Sequence, residues 1–195
     1  MSQPEAKKAA RDTEVFIGSA EHPIRFSYLR APKPEQRVNE STKEKEGDPK
    51  YSSMVIVPKT GPWKELADKA MRATAADFFP GKKFETLDCV WRDGDDDKED
   101  EKGEAVKGCW FFNCTTVNKP QVVGTERDDD GKLKRLDDTE IKSGDWGRIK
   151  INFYGYEKRG KKGVAASKGN LQKLKDGDPL GFQTNADDDF DDTPL

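Results

Sequence analysis

The chain has 195 residues, room for one domain plus appendages, and with 32% hydrophobic against 37% charged residues its core is small. No run of about 18 apolar residues occurs, so no transmembrane helix is expected. The opening Met1-Ser-Gln-Pro-Glu-Ala-Lys-Lys8 lacks an apolar signal region, so export is not expected either. Cys89, Cys109 and Cys114 are an odd number, which argues against a disulfide framework and for a reducing, cytoplasmic setting. The net charge of −3 hides a segregation: Ala186–Leu195 carries −5 and Asp93–Glu104 carries −6, leaving +8 on the rest. A basic body with acidic segments set apart suits a polyanion binder that carries its own electrostatic competitor. A solubilising charge mosaic has the same composition.

In chain order, residues 1–14 are polar and charged and read as a disordered arm. Val15–Ile17 and Ile24–Leu29 read as strands, Lys33–Lys50 as a charged loop, and Tyr51–Val57 as a β-branched strand stopped by Pro58. Thr60-Gly-Pro62 opens a helix in which Trp63, Leu66, Ala67, Ala70, Met71 and Thr74 share one stripe, and Phe78-Phe-Pro80-Gly81 ends it. Leu87–Arg92 reads as a strand, and Asp93–Glu104 as a solvated loop that buries nothing. Gly108–Thr116 reads as a strand covered on both faces, with Trp110 and Phe112 on one side and Phe111 and Asn113 on the other. Gln121–Val123 is a short strand, Asp128–Gly131 a turn, and Gly147–Tyr156 the clearest strand of all. Lys158–Lys175 then holds seven bases and no acid. Six or seven strands and one helix around a single core fit a mainly β fold. An OB-fold barrel of about five core strands with extra hairpins and disordered termini meets that pattern; a β-sandwich gives similar signals.

The strand at Arg148–Tyr156 carries the chemistry. Successive side chains point to opposite faces, so Ile149, Ile151, Phe153 and Gly155 face a core. Arg148, Lys150, Asn152, Tyr154, Tyr156 and Lys158 share the other face. Cations there would neutralise phosphates and the rings would stack on unpaired bases, at about 1–3 kcal/mol per base. An ordinary amphipathic strand is the bland alternative. Glu157–Gly163 reads as a basic hairpin turn that extends this surface with Arg159, Lys161 and Lys162, and Arg92 is a further candidate phosphate contact.

Catalytic signals are weak. His22 is the single histidine, so Ser/His/Asp and Cys/His arrangements are improbable. Cys109 and Cys114 lie five apart on a strand and face opposite ways, unlike zinc ligands. Asp93-Gly-Asp-Asp-Asp97 and Asp128–Asp130 do not match a calcium loop, and no glycine-rich phosphate loop is present. No enzyme activity, metal or cofactor is expected. A metal-dependent nuclease and a tail-dependent recruiting adaptor of the replication machinery are the competing readings.

The stretches Arg92-Asp-Gly-Asp95, Asn118–Val123, Ser143–Tyr156 and Lys162–Gly181 resemble a family of phage-encoded single-stranded-DNA-binding proteins over most of residues 12–182. The resemblance implies an OB fold, sequence-independent binding of single-stranded DNA, and a role in phage replication, recombination or repair in the host cytoplasm. It carries DNA contacts onto the Lys150, Tyr154 and Tyr156 face. Separately, Asp189-Phe-Asp-Asp-Thr-Pro-Leu195 looks like the acidic tail of bacterial single-stranded-DNA-binding proteins, although it ends in Leu195 where theirs end in Pro-Phe. The expected organisation is an arm over 1–14, an OB domain over 15–182 with its acidic loop at 93–104, and a tail over 183–195. That tail has two expected jobs. Its charge competes for the basic groove, and Asp189, Phe190, Asp191, Asp192, Pro194 and Leu195 present a ligand to replication or recombination proteins. A monomer or homodimer is expected.

Overall fold

Where apolar and polar residues alternate, this chain pairs as strands, and one long segment that hides its alternation pairs as well. The computed structural model describes residues 13–27, 29, 34–39, 41–96, 103–158 and 160–180. Among them are ten strands and one α-helix. The strands are β1 (Glu14–Ile17), β2 (Ile24–Ser27), β3 (Glu35–Val38), β4 (Lys45–Pro58), β5 (Arg92–Asp93), β6 (Cys109–Thr116), β7 (Val122–Arg127), β8 (Leu133–Arg135), β9 (Trp146–Lys158) and β10 (Lys161–Lys175). The helix α1 spans Trp63–Phe78.

Five strands close on themselves. β9 pairs with β2, β2 with β4, β4 with β6, β6 with β10, and β10 with β9. All these pairings are antiparallel except β6–β10, which is parallel and meets at Ser167 and Thr115. The result is a five-stranded barrel of the OB type. Around it, β1 extends the sheet at β9, β3 folds back on β4, β5 pairs with β6, and the β7–β8 hairpin joins β10.

The inward rows fill the barrel with Val55 and Val57 from β4, Phe112 and Cys114 from β6, Ile149, Ile151 and Phe153 from β9, and Val164, Ala166 and Leu171 from β10. Burying one such aliphatic or aromatic side chain contributes about 1.5–3 kcal/mol. Helix α1 covers one end of this core through Ala67, Ala70, Met71, Thr74 and Ala75. Leu66, placed on that stripe by spacing, is 44% exposed, because the buried arc is narrow and centred on the small residues. A second, smaller cluster of Met54, Ile56, Val106 and Phe111 covers the outer side of β4 and β6, so β6 is apolar on both faces as expected. Gly147 is required where β9 crosses Phe26: a Cβ there would lie 2.2 Å from the Gln172 carbonyl oxygen and 2.6 Å from the Phe26 ring.

Three expectations are corrected. Lys33–Lys50 is not a plain loop, because its described part folds into the β3–β4 hairpin with Glu35 opposite Lys50. The run of bases over Lys158–Lys175, for which the sequence predicts no strand, holds the 15-residue β10 at Lys161–Lys175. In Leu87–Arg92 only Arg92 enters a named strand; Asp88 makes one isolated bridge to Gly163. The acidic segment, as far as it is described, also buries more than expected. Gly94 is packed against the Val106 backbone, and Asp93 and Asp95 both bind Lys59 Nζ, at 2.5 and 2.7 Å. The arm expected over 1–14 is also too long by two residues, because Thr13 is buried and Glu14 opens β1; residues 1–12, 97–102 and 181–195 lie outside the described residues, and with them the rest of the arm and the tail.

Candidate nucleic-acid interface

The β9 alternation holds from Arg148 to Tyr154: Ile149, Ile151 and Phe153 are buried, while Arg148 and Tyr154 are exposed and Lys150 and Asn152 half-buried; beyond it Gly155, expected to face the core, and Tyr156 are both half-buried. Two concave surfaces meet this row. The first is a cavity of about 600 Å³ lined by Glu35, Gln36, Gly47, Asp48, Lys50, Ser52, Thr115 and Lys158. Its walls are the β3–β4 hairpin and the end of β9, and its floor is the outer side of β4 and β6. The second is a groove of about 260 Å³ lined by Phe16, Val123, Leu133, Arg148, Ile149, Lys150, Asn170, Leu171 and Gln172. In the barrel ring, β9 stands across from the β4–β6 pair, so the two surfaces lie on different sides, joined by the length of β9.

The candidate residues therefore divide. Arg148 and Lys150 belong to the groove, and Lys158 belongs to the cavity. Tyr154, 36% exposed, stands between them along the strand. Several of these side chains are already engaged. Lys150 Nζ pairs with Glu14 at 2.8 Å, Arg148 Nε donates to Gln172 Oε1 at 2.6 Å, and Thr13 Oγ1 donates to Asn152 Oδ1 at 2.6 Å. The Tyr156 hydroxyl reaches Asp88 at 3.5 Å; burial, then the Asp88 charge, raises its phenol above the ordinary value. Lys162 pairs with Glu157 at 3.1 Å and lies 5.8 Å from the centre of the Phe79 ring, while Lys161 is exposed. Arg92 is exposed on the outer side of β5, its guanidinium 6.0 Å from the Phe111 ring centre. Arg159 and the tail residues Asp189, Phe190, Asp191, Asp192, Pro194 and Leu195 lie outside the described residues.

Sequence reading missed Lys50, Ser52 and Thr115, which form the cavity floor and wall. Their signal was a polar interruption at outward positions of two otherwise apolar strands. It also missed Phe16, 61% exposed in the groove, although the alternation of Val15 and Ile17 against Phe16 marks it as outward. Among the described residues no group of three or more His, Cys, Asp or Glu is gathered to hold a metal ion. Among them, too, no helix is long and apolar enough to cross a membrane.

An OB barrel bearing a polar, cation-flanked cavity and an outward row of bases and tyrosines has the form of a nucleic-acid-binding module. The chain belongs to the family described as "Enterobacter phage Enc34, ssDNA-binding protein", whose model matches residues 13–195; this is a family of phage DNA-binding proteins, not of enzymes. Among solved structures, the chain is similar to the single-stranded-DNA-binding protein of bacteriophage Enc34 in complex with single-stranded DNA. That match has 24% identity and a TM-score of 0.68, over 88% of this chain and 91% of the other. A C-terminal truncation of the same phage protein matches at 22% identity and a TM-score of 0.66, over 87% and 90% of the two chains. No curated protein sequence matches the chain.

Proposed function

We propose that this protein binds single-stranded DNA without sequence preference and serves phage DNA replication, recombination or repair in the cytoplasm of the infected host. The observation that carries the reading is the outward row of β9, which leads from Arg148 and Lys150 in the groove, past Tyr154 and Tyr156, to Lys158 in the cavity. Cations at both ends hold the backbone of a strand, and the tyrosines offer stacking surfaces to its bases; every base has a flat face, so the contact is indifferent to sequence. Exposed Lys161 and Arg92, with Lys162 and Arg159, add positive charge around the row. The same reading extends to monomers or homodimers.

The acidic tail competes with DNA and recruits replication or recombination proteins. Leu180, the last described residue, packs on the Met54–Ile56–Phe111 cluster, on the same outer side of β4 and β6 that floors the cavity. Fifteen further residues span up to about 50 Å when extended, and they start from the side of the barrel where Lys50 and Lys158 line the cavity.

A gel shift of the full chain with single- and double-stranded oligonucleotides, with and without magnesium, tests the reading. Retarded, intact single strand is the expected result. Cleavage would turn the assignment toward a nuclease, and no shift of either strand would leave a recruiting adaptor.

A further inference from the structure

The barrel holds one cation that the reading above does not use. Lys168 on β10 is 3% exposed and points inward, opposite Ile151 of β9. Its ammonium donates to Ser53 Oγ at 2.6 Å and lies 3.4 Å from the Ser52 carbonyl oxygen. Ser53 Oγ in turn donates to the Ser52 carbonyl at 2.8 Å. No carboxylate among the described residues pairs with this lysine. β6 presents Cys114 to it, β9 presents Ile151, and on β4 the next titratable side chain on the Ser53 face is Tyr51.

The position of this charge is specific. Ser52 and Thr115 line the floor of the cavity, and Ser167, the neighbour of Lys168, is the register partner of Thr115. The ammonium therefore lies directly behind the floor, on the inner side of the wall whose outer side faces the cavity. A methionine here would continue the apolar row of Val164, Ala166 and Leu171, so core packing alone does not call for an amine. A buried cation without a counter-ion is costly, and its field is screened less than that of a surface lysine.

Resting on the reading that the cavity takes single-stranded DNA, we propose that Lys168 is a positioning residue for the phosphate backbone, acting through the Ser52–Ser53 floor and supplied with its counter-ion by the bound strand. Burial pushes the Lys168 ammonium down to about 8, and a polyanion on the other side of the floor favours the charged form. The group's value is thus higher in the complex than in the free protein. Binding then takes up a proton at pH values above about 8, and affinity falls as pH climbs from 8 toward 10.5, the ordinary lysine value. The charged groups lining the cavity itself are Glu35, Asp48, Lys50 and Lys158.

The test uses the full chain and oligo-dT. Calorimetric titration at pH 8.5, in two buffers of different ionisation enthalpy, is expected to show net proton uptake on binding, with uptake lost at pH 6. Lys168→Met is expected to fold with an equal or higher melting temperature and to bind oligo-dT about three- to tenfold more weakly at pH 7. Its affinity should no longer fall between pH 8 and 9.5. Lys168→Arg, charged throughout, restores affinity with a flat pH profile over the same range. Equal heats in both buffers, or a folded Lys168→Met variant that keeps wild-type affinity and pH dependence, overturns the proposal. Should Lys168→Met fail to fold, the wild-type proton balance decides alone. Wild-type protein that does not bind oligo-dT refutes the parent reading, whereas binding without proton uptake removes only Lys168.

Discussion

Asp145 and Lys173 form an ion pair at 3.0 Å in which the carboxylate has no exposure at all. Asp145 also accepts the backbone N–H groups of Lys142, at 2.9 Å, and Gly177, at 3.2 Å. One carboxylate thereby ties the entry of β9 to the exit of β10. Removing it leaves two N–H groups without their acceptor and takes one carboxylate from Lys173, whose ammonium keeps Asp176 at 2.7 Å and the Glu140 carbonyl oxygen at 2.6 Å. Asp145→Ala is expected to lower stability by about 2–4 kcal/mol, measured by urea denaturation, with Asp145→Asn intermediate.

Replacing Gly147 by alanine should be almost as damaging through packing alone. The added methyl meets the Gln172 carbonyl and the Phe26 ring, both fixed in the barrel. A loss of about 1–3 kcal/mol is expected, with a matching fall in melting temperature and no specific change in salt dependence of binding. Wild-type stability in this variant would mean that β9 does not cross Phe26 as described.

The three thiols should separate by reactivity. Cys89 is exposed, Cys109 half-buried and Cys114 buried. Burial raises all three above the ordinary thiol value, and pushes Cys114 up to about 12. With a thiol reagent at pH 8, Cys89 should label first, Cys109 more slowly, and Cys114 only when denaturant is added. Rapid labelling of Cys114 in the native protein would contradict the closed barrel.

Acid should loosen the turn at Asp93–Asp95 before it reaches the core. The Lys59 hydrogen bond, and then the Asp95 backbone N–H, hold Asp93 below the ordinary carboxylate value. For Asp95 the Gly108 N–H is the larger cause, with Lys59 second. Depressed carboxylates stabilise the fold above their unfolded value, 3.8, and lose that contribution as pH falls through the lowered folded values. The Gly108 amide resonance is therefore expected to hold steady from neutral pH to about 4 and to shift only below that. Lys59→Met should move this transition upward; an unchanged midpoint would dissociate the turn from Lys59.

Binding should respond to charge in opposite directions at the cavity and at the tail. Lys50→Glu with Lys158→Glu is expected to weaken oligo-dT binding and flatten its salt dependence, each lost phosphate contact removing about 0.7 from the slope. Deleting Ala186–Leu195 is expected to raise affinity, most at low salt, as seen in fluorescence titrations. Unchanged or weaker binding after deletion would leave the tail only its recruiting role.

Strands that bury one face were legible because apolar and polar residues alternate at a period of two, as in Ile149–Phe153 against Arg148–Tyr154. β10 escaped because Lys168 occupies an inward position and the pairing slips between Lys168 and Leu171, so the apolar row Val164, Ala166, Leu171 does not keep one period. The β3–β4 hairpin escaped because none of its described side chains up to Lys50 is buried and most are polar, with Val38 47% exposed, so no alternation marks an inward face. At the site, the types of residue on the β9 face were readable. Sequence could not show that Lys150 is partnered by Glu14, or that Arg148 and Lys158 face different concavities, because both depend on where the barrel closes.

That closure has a consequence for synthesis. Ile24 finds its partner at Gly147, and β6 meets the barrel's last strand only at Ser167. A chain emerging from the ribosome therefore presents a free edge on β2 until β9 has left the exit tunnel, and one on β6 until β10 has followed. The ring closes late, over contacts far apart in sequence, and such topologies refold in milliseconds to seconds rather than microseconds. During that interval the nascent chain is kept from edge-to-edge association by its high charge, so the composition that limits the size of the core also protects its assembly.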